Sequence, residues 1–427
     1  MKVWCRAWLV FVALFMASRA AFVDAQTITQ RGFAEAAVAV FPEDTSTDRA
    51  NAVGDALLRE DVFIKPTTWL QFAAGLDARL NTHDQVRRSW RIDFADRTPQ
   101  RQAISIRRLG ATLARGPITI DVGKQFIRWG KTDIVTPTDR FAPRDFLNVI
   151  NSEFLAVSGV RGVVQAGTHT LDLVWVPVFT PSRIPLLNQR WVPAAQGAVA
   201  FDDLGAVFPD GSQVGLRYSR IVAALEYSVS VFNGFNHLPN IEASPAFGAG
   251  PAAQVSASSV AGPASVGLRR VYPAMRSYGG DVALPTRWFT MKGEAAYATS
   301  GTPGTDDYVL YVIQLERQSG EWQLVGGYAG EAVTVRRAQA TFAPDRGLTR
   351  AIVARAAYTI GPNRSVGFEG AVRQNGRGVY SKVEYSQARG QHWRTTVTGI
   401  LIGGQSDDFL GQYNRNSHIA ATLRYSF

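Results

Sequence analysis

The feature that most limits what this chain can fold into is an alternation of period two that runs to its last residue. In the closing stretch NSHIAATLRYSF, Ile419, Ala421, Leu423, Tyr425 and Phe427 fall on one side of an extended strand. His418, Ala420, Thr422, Arg424 and Ser426 fall on the other. The same pattern sets Trp393, Thr395, Val397, Gly399 and Leu401 against His392, Arg394, Thr396 and Thr398. It sets Phe289, Met291, Gly293, Ala295 and Tyr297 against Lys292 and Glu294, and Ile118, Ile120, Val122 and Phe126 against Thr119, Asp121 and Gln125. Strands of about 10 residues with one apolar and one charged face suit a bilayer-spanning barrel, whose polar face looks inward at water. Lipid offers no hydrogen bonds, so such strands must close into a cylinder. A soluble sandwich or propeller also alternates, but with the apolar face as its core. The barrel is favoured by an N-terminal export sequence, by aromatic residues near strand ends (Trp288, Tyr297, Trp322, Trp393, Tyr425) and by the terminal phenylalanine. The expected fold is all-β, a closed antiparallel transmembrane β-barrel.

The export sequence reads as a cleaved signal peptide over 1–25. Lys2 and Arg6 precede the apolar stretch 7–17, and Val23-Asp24-Ala25 offers small residues for cleavage before Gln26. That stretch is shorter than the ~20 residues a spanning helix needs, and nothing later in the chain supplies one. The mature barrel is then 26–427. The one cysteine, Cys5, precedes the apolar run, so it is no lipoprotein acceptor. Its removal leaves no disulfide scaffold and no cysteine zinc site. Charged residues at 19% with a mean hydropathy of −0.05 exclude both a disordered polyelectrolyte and a helical membrane protein.

Turn chemistry lets the strands be counted. Short turns are expected at 389–391, 361–363, 319–321, 284–286, 219–221, 166–168, 115–117 and 81–83. Longer loops are expected near 403–415, 333–348, 299–306, 233–275, 180–211, 128–153 and 42–66, with brief ones near 96–101 and 374–378. With 29–41 as the first strand this gives eighteen strands and both termini periplasmic; sixteen is the other even count the pattern allows. The loop near 243–267 is rich in Ala, Gly, Ser and Pro.

A signal peptide, cysteine-free alternating strands and the ending Leu423-Arg424-Tyr425-Ser426-Phe427 resemble bacterial outer-membrane porins and substrate-specific channels. That resemblance implies a multi-pass barrel in the outer membrane, in contact with its lipid and lipopolysaccharide. It implies a passive channel for small hydrophilic solutes, often a homotrimer. Tyr425 and Phe427 resemble the signal read by the β-barrel assembly machinery. In porins the third long outer loop folds inward, which by similarity makes 128–153 the candidate constriction.

Its own residues fit that role. Arg128, Lys131, Arg140 and Arg144 alternate with Asp133, Asp139 and Asp145 around Pro137 and Pro143. Closely spaced charges of both signs make a transverse field that orients dipolar solutes. A solvated loop of mutually paired charges is the plainer reading, but Trp129, Phe141 and Phe146 argue for a packed segment. Candidate lumen-facing cations are Arg91, Arg161, Arg217, Lys292, Arg373, Lys382, Arg394 and Arg424, against Asp77, Asp93, Asp121, Glu226, Glu294, Glu369 and Glu384. Many of these should pair across neighbouring strands. Of 45 basic residues all but Lys2, Lys65, Lys124, Lys131, Lys292 and Lys382 are arginine, and the surplus predicts a mild anion preference.

Other functions find less support. Basic residues are scattered rather than clustered, against nucleic-acid binding. His83 and His169 are expected in periplasmic turns, His237 in an outer loop and His418 at the start of the last strand. Nothing sets a nucleophile and an orienting group beside any of them or beside His392. The acidic pairs Asp202-Asp203, Asp306-Asp307 and Asp407-Asp408 lack the spacing of a calcium loop. Neither cofactor nor metal is expected. A transporter of hydrophobic molecules remains the alternative if 42–66, with a short helix over 47–61, plugs the barrel.

Overall fold

The computed structural model describes residues 27–88, 93–192, 200–246, 265–336, 343–374 and 376–427. The expected signal peptide, Arg91 and most of the stretch 243–267 lie outside the described residues. Eighteen strands form one sheet. They are β1 (Thr27–Val40), β2 (Ala52–Thr67), β3 (Leu70–Asn81), β4 (Ile104–Arg115), β5 (Ile118–Gln125) and β6 (Val157–Ala166). Then come β7 (His169–Val176), β8 (Gln213–Val222), β9 (Leu225–Phe235), β10 (Ala274–Pro285), β11 (Thr290–Thr299) and β12 (Asp307–Ser319). The last are β13 (Trp322–Val335), β14 (Ala351–Thr359), β15 (Arg364–Arg373), β16 (Gly378–Arg389), β17 (Trp393–Gly404) and β18 (His418–Ser426). Each pairs antiparallel with its neighbours in sequence. β1 also pairs with β18, Phe33 opposite Ser426 and Val40 opposite Ile419, so the cylinder closes and leaves no free edge.

The outer wall is the apolar one. On β7, Leu171, Leu173 and Trp175 are exposed while Asp172, Val174 and Val176 between them are buried inside. Ile352, Leu401 and Ile419 are more than 60% exposed. An apolar belt of this extent is stable only against acyl chains. Two-residue turns such as Gly116-Pro117 and Gly167-Thr168 join strands at one end, and long loops join them at the other. Gly116 and Gly167 sit at φ +58° and +60°, where a β-carbon would be strained. Away from the barrel, Ala200–Val207, Ser265–Val271 and Asn240–Ala246 form a separate three-stranded sheet.

The expected count of eighteen holds, but two strands lie elsewhere than read from sequence. Residues 52–67, expected in a loop with a helix over 47–61, form β2, paired along its length with β1 and β3. The tight turn is Thr68-Trp69, not 81–83, and 82–103 is a long loop. His83 therefore sits at the loop end, where its Nε2 lies 2.7 Å from Asp48 Oδ2. The physical reason is a mixed inward face: Leu57 and Phe63 share it with Arg59 and Asp61, which blurs the alternation in ALLREDVFIK. With 52–67 in the wall, that stretch cannot be a plug.

The core lies within the cylinder. Ile127, Trp129 and Phe141 of loop 126–156 pack on Val174, Phe232 and Leu310 from the inner wall. Ile134, Val149 and Ile150 of the same loop pack on a second cluster that includes Val353, Tyr380 and Ile402. Loop 126–156 thus crosses the barrel, buried against both sides.

Candidate pore constriction

The loop is held by acceptors projecting from the wall. Glu294 on β11 accepts hydrogen bonds from Lys131 N at 2.9 Å, Thr132 N at 3.1 Å and Thr132 Oγ1 at 2.9 Å. Its other oxygen accepts from Thr138 N and Thr138 Oγ1, both at 2.8 Å. Gln314 on β12 accepts from Asp133 N at 2.9 Å and donates to Asp133 Oδ2 at 2.8 Å. Trp129 Nε1 donates to Asp172 Oδ2 at 3.0 Å. Close approach needs room, and Gly215 on β8 provides it: a β-carbon there would stand 2.7 Å from both the Trp129 and Phe141 rings. At Gly279 on β10 one would stand 2.8 Å from Thr138.

The seven charged residues predicted in this loop divide into two groups. Three serve to hold it. Asp139 accepts from Trp129 N and Gly130 N at 2.6 and 2.7 Å, closing a tight turn, and pairs with Arg128 at 3.2 Å. Asp145 is buried between Arg101 at 2.8 Å and Arg183 at 3.0 Å. Burial alone would raise its carboxyl, but the two guanidiniums outweigh that and hold it well below the usual carboxylate range. Lys131 pairs with Glu226 and lies 3.7 Å from Asp281.

Of the other four, Asp133, Arg140 and Arg144 line the cavity beside the loop. Asp133 is exposed; burial is the largest influence on its carboxyl and would raise it, but Gln314, Glu316 and Lys292, 3.6 Å away, together leave it lowered. Arg128 and Arg144 flank the Phe154 ring, their guanidinium carbons 4.0 and 4.2 Å from its centroid. Arg144 also donates to Thr136 Oγ1 at 3.2 Å. Arg140 is half-buried beside Tyr308, and among the described residues its Nε and Nη2 make no hydrogen bond. A clasp ties this region to two further loops: the buried His237 ring lies 2.6 Å from Thr180 O through Nδ1 and 3.0 Å from Arg140 O through Nε2. Burial pushes that imidazole down to about 4, so it is neutral near neutral pH and one of its nitrogens donates.

The predicted lumen-facing cations are mostly paired. Arg161 meets Asp172 at 2.6 Å, Arg217 meets Asp281 at 2.8 Å, and Lys292 meets Glu316 at 2.5 Å. Lys382 meets Glu384 at 2.9 Å and Arg424 meets Glu35 at 2.5 Å. Arg373 binds Asp408 at 3.2 Å and Gly347 O at 2.7 Å, which makes it an anchor for loops 336–350 and 405–417. Arg394 donates to Ser386 Oγ at 3.4 Å. At the turn end, Tyr425 packs 4.9 Å from Trp393, and Phe427 exchanges backbone hydrogen bonds with Gly32 at 3.0 and 3.1 Å.

A row of arginines was missed. Arg59 on β2, Arg79 on β3 and Arg107 and Arg108 on β4 all face the lumen beside Asp61 and Asp77. A bulge on β4, where Gly75 opposes Arg108 but Leu76 opposes Ile106, turns both consecutive arginines inward. Phe63 lies under Arg31 and Arg108, and Phe126 under Arg107 and Arg108, at 4.9 to 5.7 Å. The signal in sequence was the alternating Leu57, Arg59, Asp61, Phe63. For Glu294 as a loop anchor no local signal exists.

No family model matches this chain, and no curated protein does. Solved structures do. OccAB4 of Acinetobacter baumannii matches with a TM-score of 0.54 and 10% identity, over 94% of this chain and 99% of that one. A BenF-like porin from Pseudomonas fluorescens gives 0.53 and 7%, over 95% and 99%. OpdQ of Pseudomonas aeruginosa gives 0.51 and 9%, over 95% and 99%. The chain shares their barrel fold. At such identities the likeness is one of fold alone.

Proposed function

We propose that this chain is a porin-like passive channel of the bacterial outer membrane for small hydrophilic solutes, with loop 126–156 as its constriction and a mild preference for anions. The observation that carries this reading is the loop itself, pinned across a closed barrel while Asp133, Arg140 and Arg144 line the cavity beside it. Arginines gather on the β1–β4 wall, and Glu226 and Glu316 stand partly exposed on the β9–β12 wall, so a solute crosses a transverse field. That one structural neighbour is titled a porin supports the same reading. Export through a signal peptide cleaved after residue 25, assembly through Tyr425 and Phe427, contact with lipid and lipopolysaccharide and a homotrimer belong to the proposal. Planar-bilayer recording of the purified protein tests it. We expect stable KCl conductance steps and a reversal potential of anion-selective sign in a KCl gradient. Absence of conductance overturns the channel, and cation-selective potentials overturn the preference.

A further inference from the structure

We propose that the cavity between loop 126–156 and strands β14–β16 binds small zwitterions that carry an apolar side chain, a hydrophobic α-amino acid being the simplest. This rests on the channel reading above and names its solute class. The cavity is about 310 Å³, near the lower end for small-molecule sites.

Its lining divides by chemistry. Arg140 and Arg144 line the loop side, and among the described residues neither forms an ion pair. Among the described residues Arg140 Nε and Nη2 make no hydrogen bond, and the guanidinium lies beside Tyr308 and Asp345. Arg144 is held in place by the Phe154 ring and by Thr136, so little order is lost when it binds a carboxylate. Two carboxylates also line the cavity: Asp345 of loop 336–350, whose carboxyl is pushed up by burial against the pull of Arg140 and Arg346, and Glu369 of β15, in an open pair with Arg355 at 3.0 Å. Val353, Tyr380 and Phe409 supply an apolar wall, with Ile134 and Ile150 opposite. The remaining charges are committed, Asp139 to Arg128 and two backbone amides, Asp133 to Gln314 and Lys292.

A zwitterion with an apolar side chain uses all three features. Its carboxylate meets the two guanidiniums, its ammonium the two carboxylates, and its side chain the apolar wall. A simple anion of the same skeleton meets Asp345 and Glu369 uncompensated, and a simple cation meets Arg140 and Arg144. A hydrophilic zwitterion leaves the apolar wall wet. Selection thus comes from the mismatches as much as from the fit.

The test uses the full-length protein in planar bilayers near neutral pH. KCl conductance is recorded first, then the current reduction caused by L-leucine, glycine, 4-methylpentanoate and leucinamide. Leucine should act at a concentration about tenfold below each of the other three, the discrimination expected of one apolar side chain or one unmatched charge. In D345N, 4-methylpentanoate should gain on leucine, because the carboxylate that opposes it is gone. A wild-type channel that conducts KCl but responds equally to leucine and glycine, or equally to leucine and 4-methylpentanoate, overturns the proposal and leaves the channel reading intact. Absence of KCl conductance removes both.

Discussion

The two sides of the inner wall handle charge differently. On β1–β4, Arg59, Arg79, Arg107 and Arg108 are half-buried and pair with the buried Asp61 and Asp77, resting on Phe33, Phe63 and Phe126. On β9–β12, Glu294 and Gln314 are buried and used up by backbone amides of loop 126–156. The first wall pairs its charges within itself and keeps part of the arginine surface exposed. The second is a socket, its polar groups satisfied by the loop. The same residue types do both jobs because burial decides whether a charge is spent on structure or left to act at a distance.

Variants can break this contrast. The largest effect is expected from Glu294→Ala. It orphans donors on Lys131, Thr132 and Thr138, each at a cost of about 1–3 kcal/mol. The loop should leave the socket, and conductance should rise several-fold with strong flicker; an unchanged single-channel current contradicts the socket. Next comes Gly215→Val. Its added carbons meet Trp129 and Phe141, and overpacking of that kind costs about 1–3 kcal/mol. Lower thermal stability in detergent and a broadened conductance distribution are expected, while the same exchange at Gly326, where an added β-carbon has nothing within 4 Å, should do neither.

Acid should loosen the clasp at His237. Its pKa is about 4 in place and near 6.5 when released, so between those values the released loops bind more protons. Attachment therefore weakens as pH falls from about 6.5 to about 4 and changes no further below. Open-channel noise should grow over that window and lose its pH dependence in His237→Gln. The smallest effect belongs to the arginine wall: Arg107→Gln should shift the reversal potential in a KCl gradient modestly toward cations, Arg108 at 3.8 Å keeping Asp61 partnered. A larger effect there than at Glu294 would reverse the assignment of socket and arginine wall.

Strands with a clean alternation were legible residue by residue, β11, β17 and β18 above all, whereas on β5 Ile118, Ile120 and Val122 face out as read and Phe126, just past its end, turns in beneath Arg107 and Arg108. β2 was not, because Leu57 and Phe63 point inward, where the lumen is filled by protein and aromatic rings lie under arginines. The bulge that turns Arg107 and Arg108 the same way is a matter of pairing with β3, which no local window contains. In the constriction, the charged set was visible, but its division was not. Asp139 and Asp145 look like Asp133 on paper, and only Arg101, Arg183 and the amides of Trp129 and Gly130 make them structural.

The amino-acid order alone determined the closed barrel and narrowed its strands to eighteen or sixteen, since period two and turn residues are local properties and lipid admits no unpaired backbone. What fills the cylinder was settled by tertiary structure. Loop 126–156 reaches across because Glu294 and Gln314, more than 150 residues later in the chain, satisfy its amides, and because Gly215 and Gly279 leave it room. Contacts of that separation carry no signature in either segment by itself.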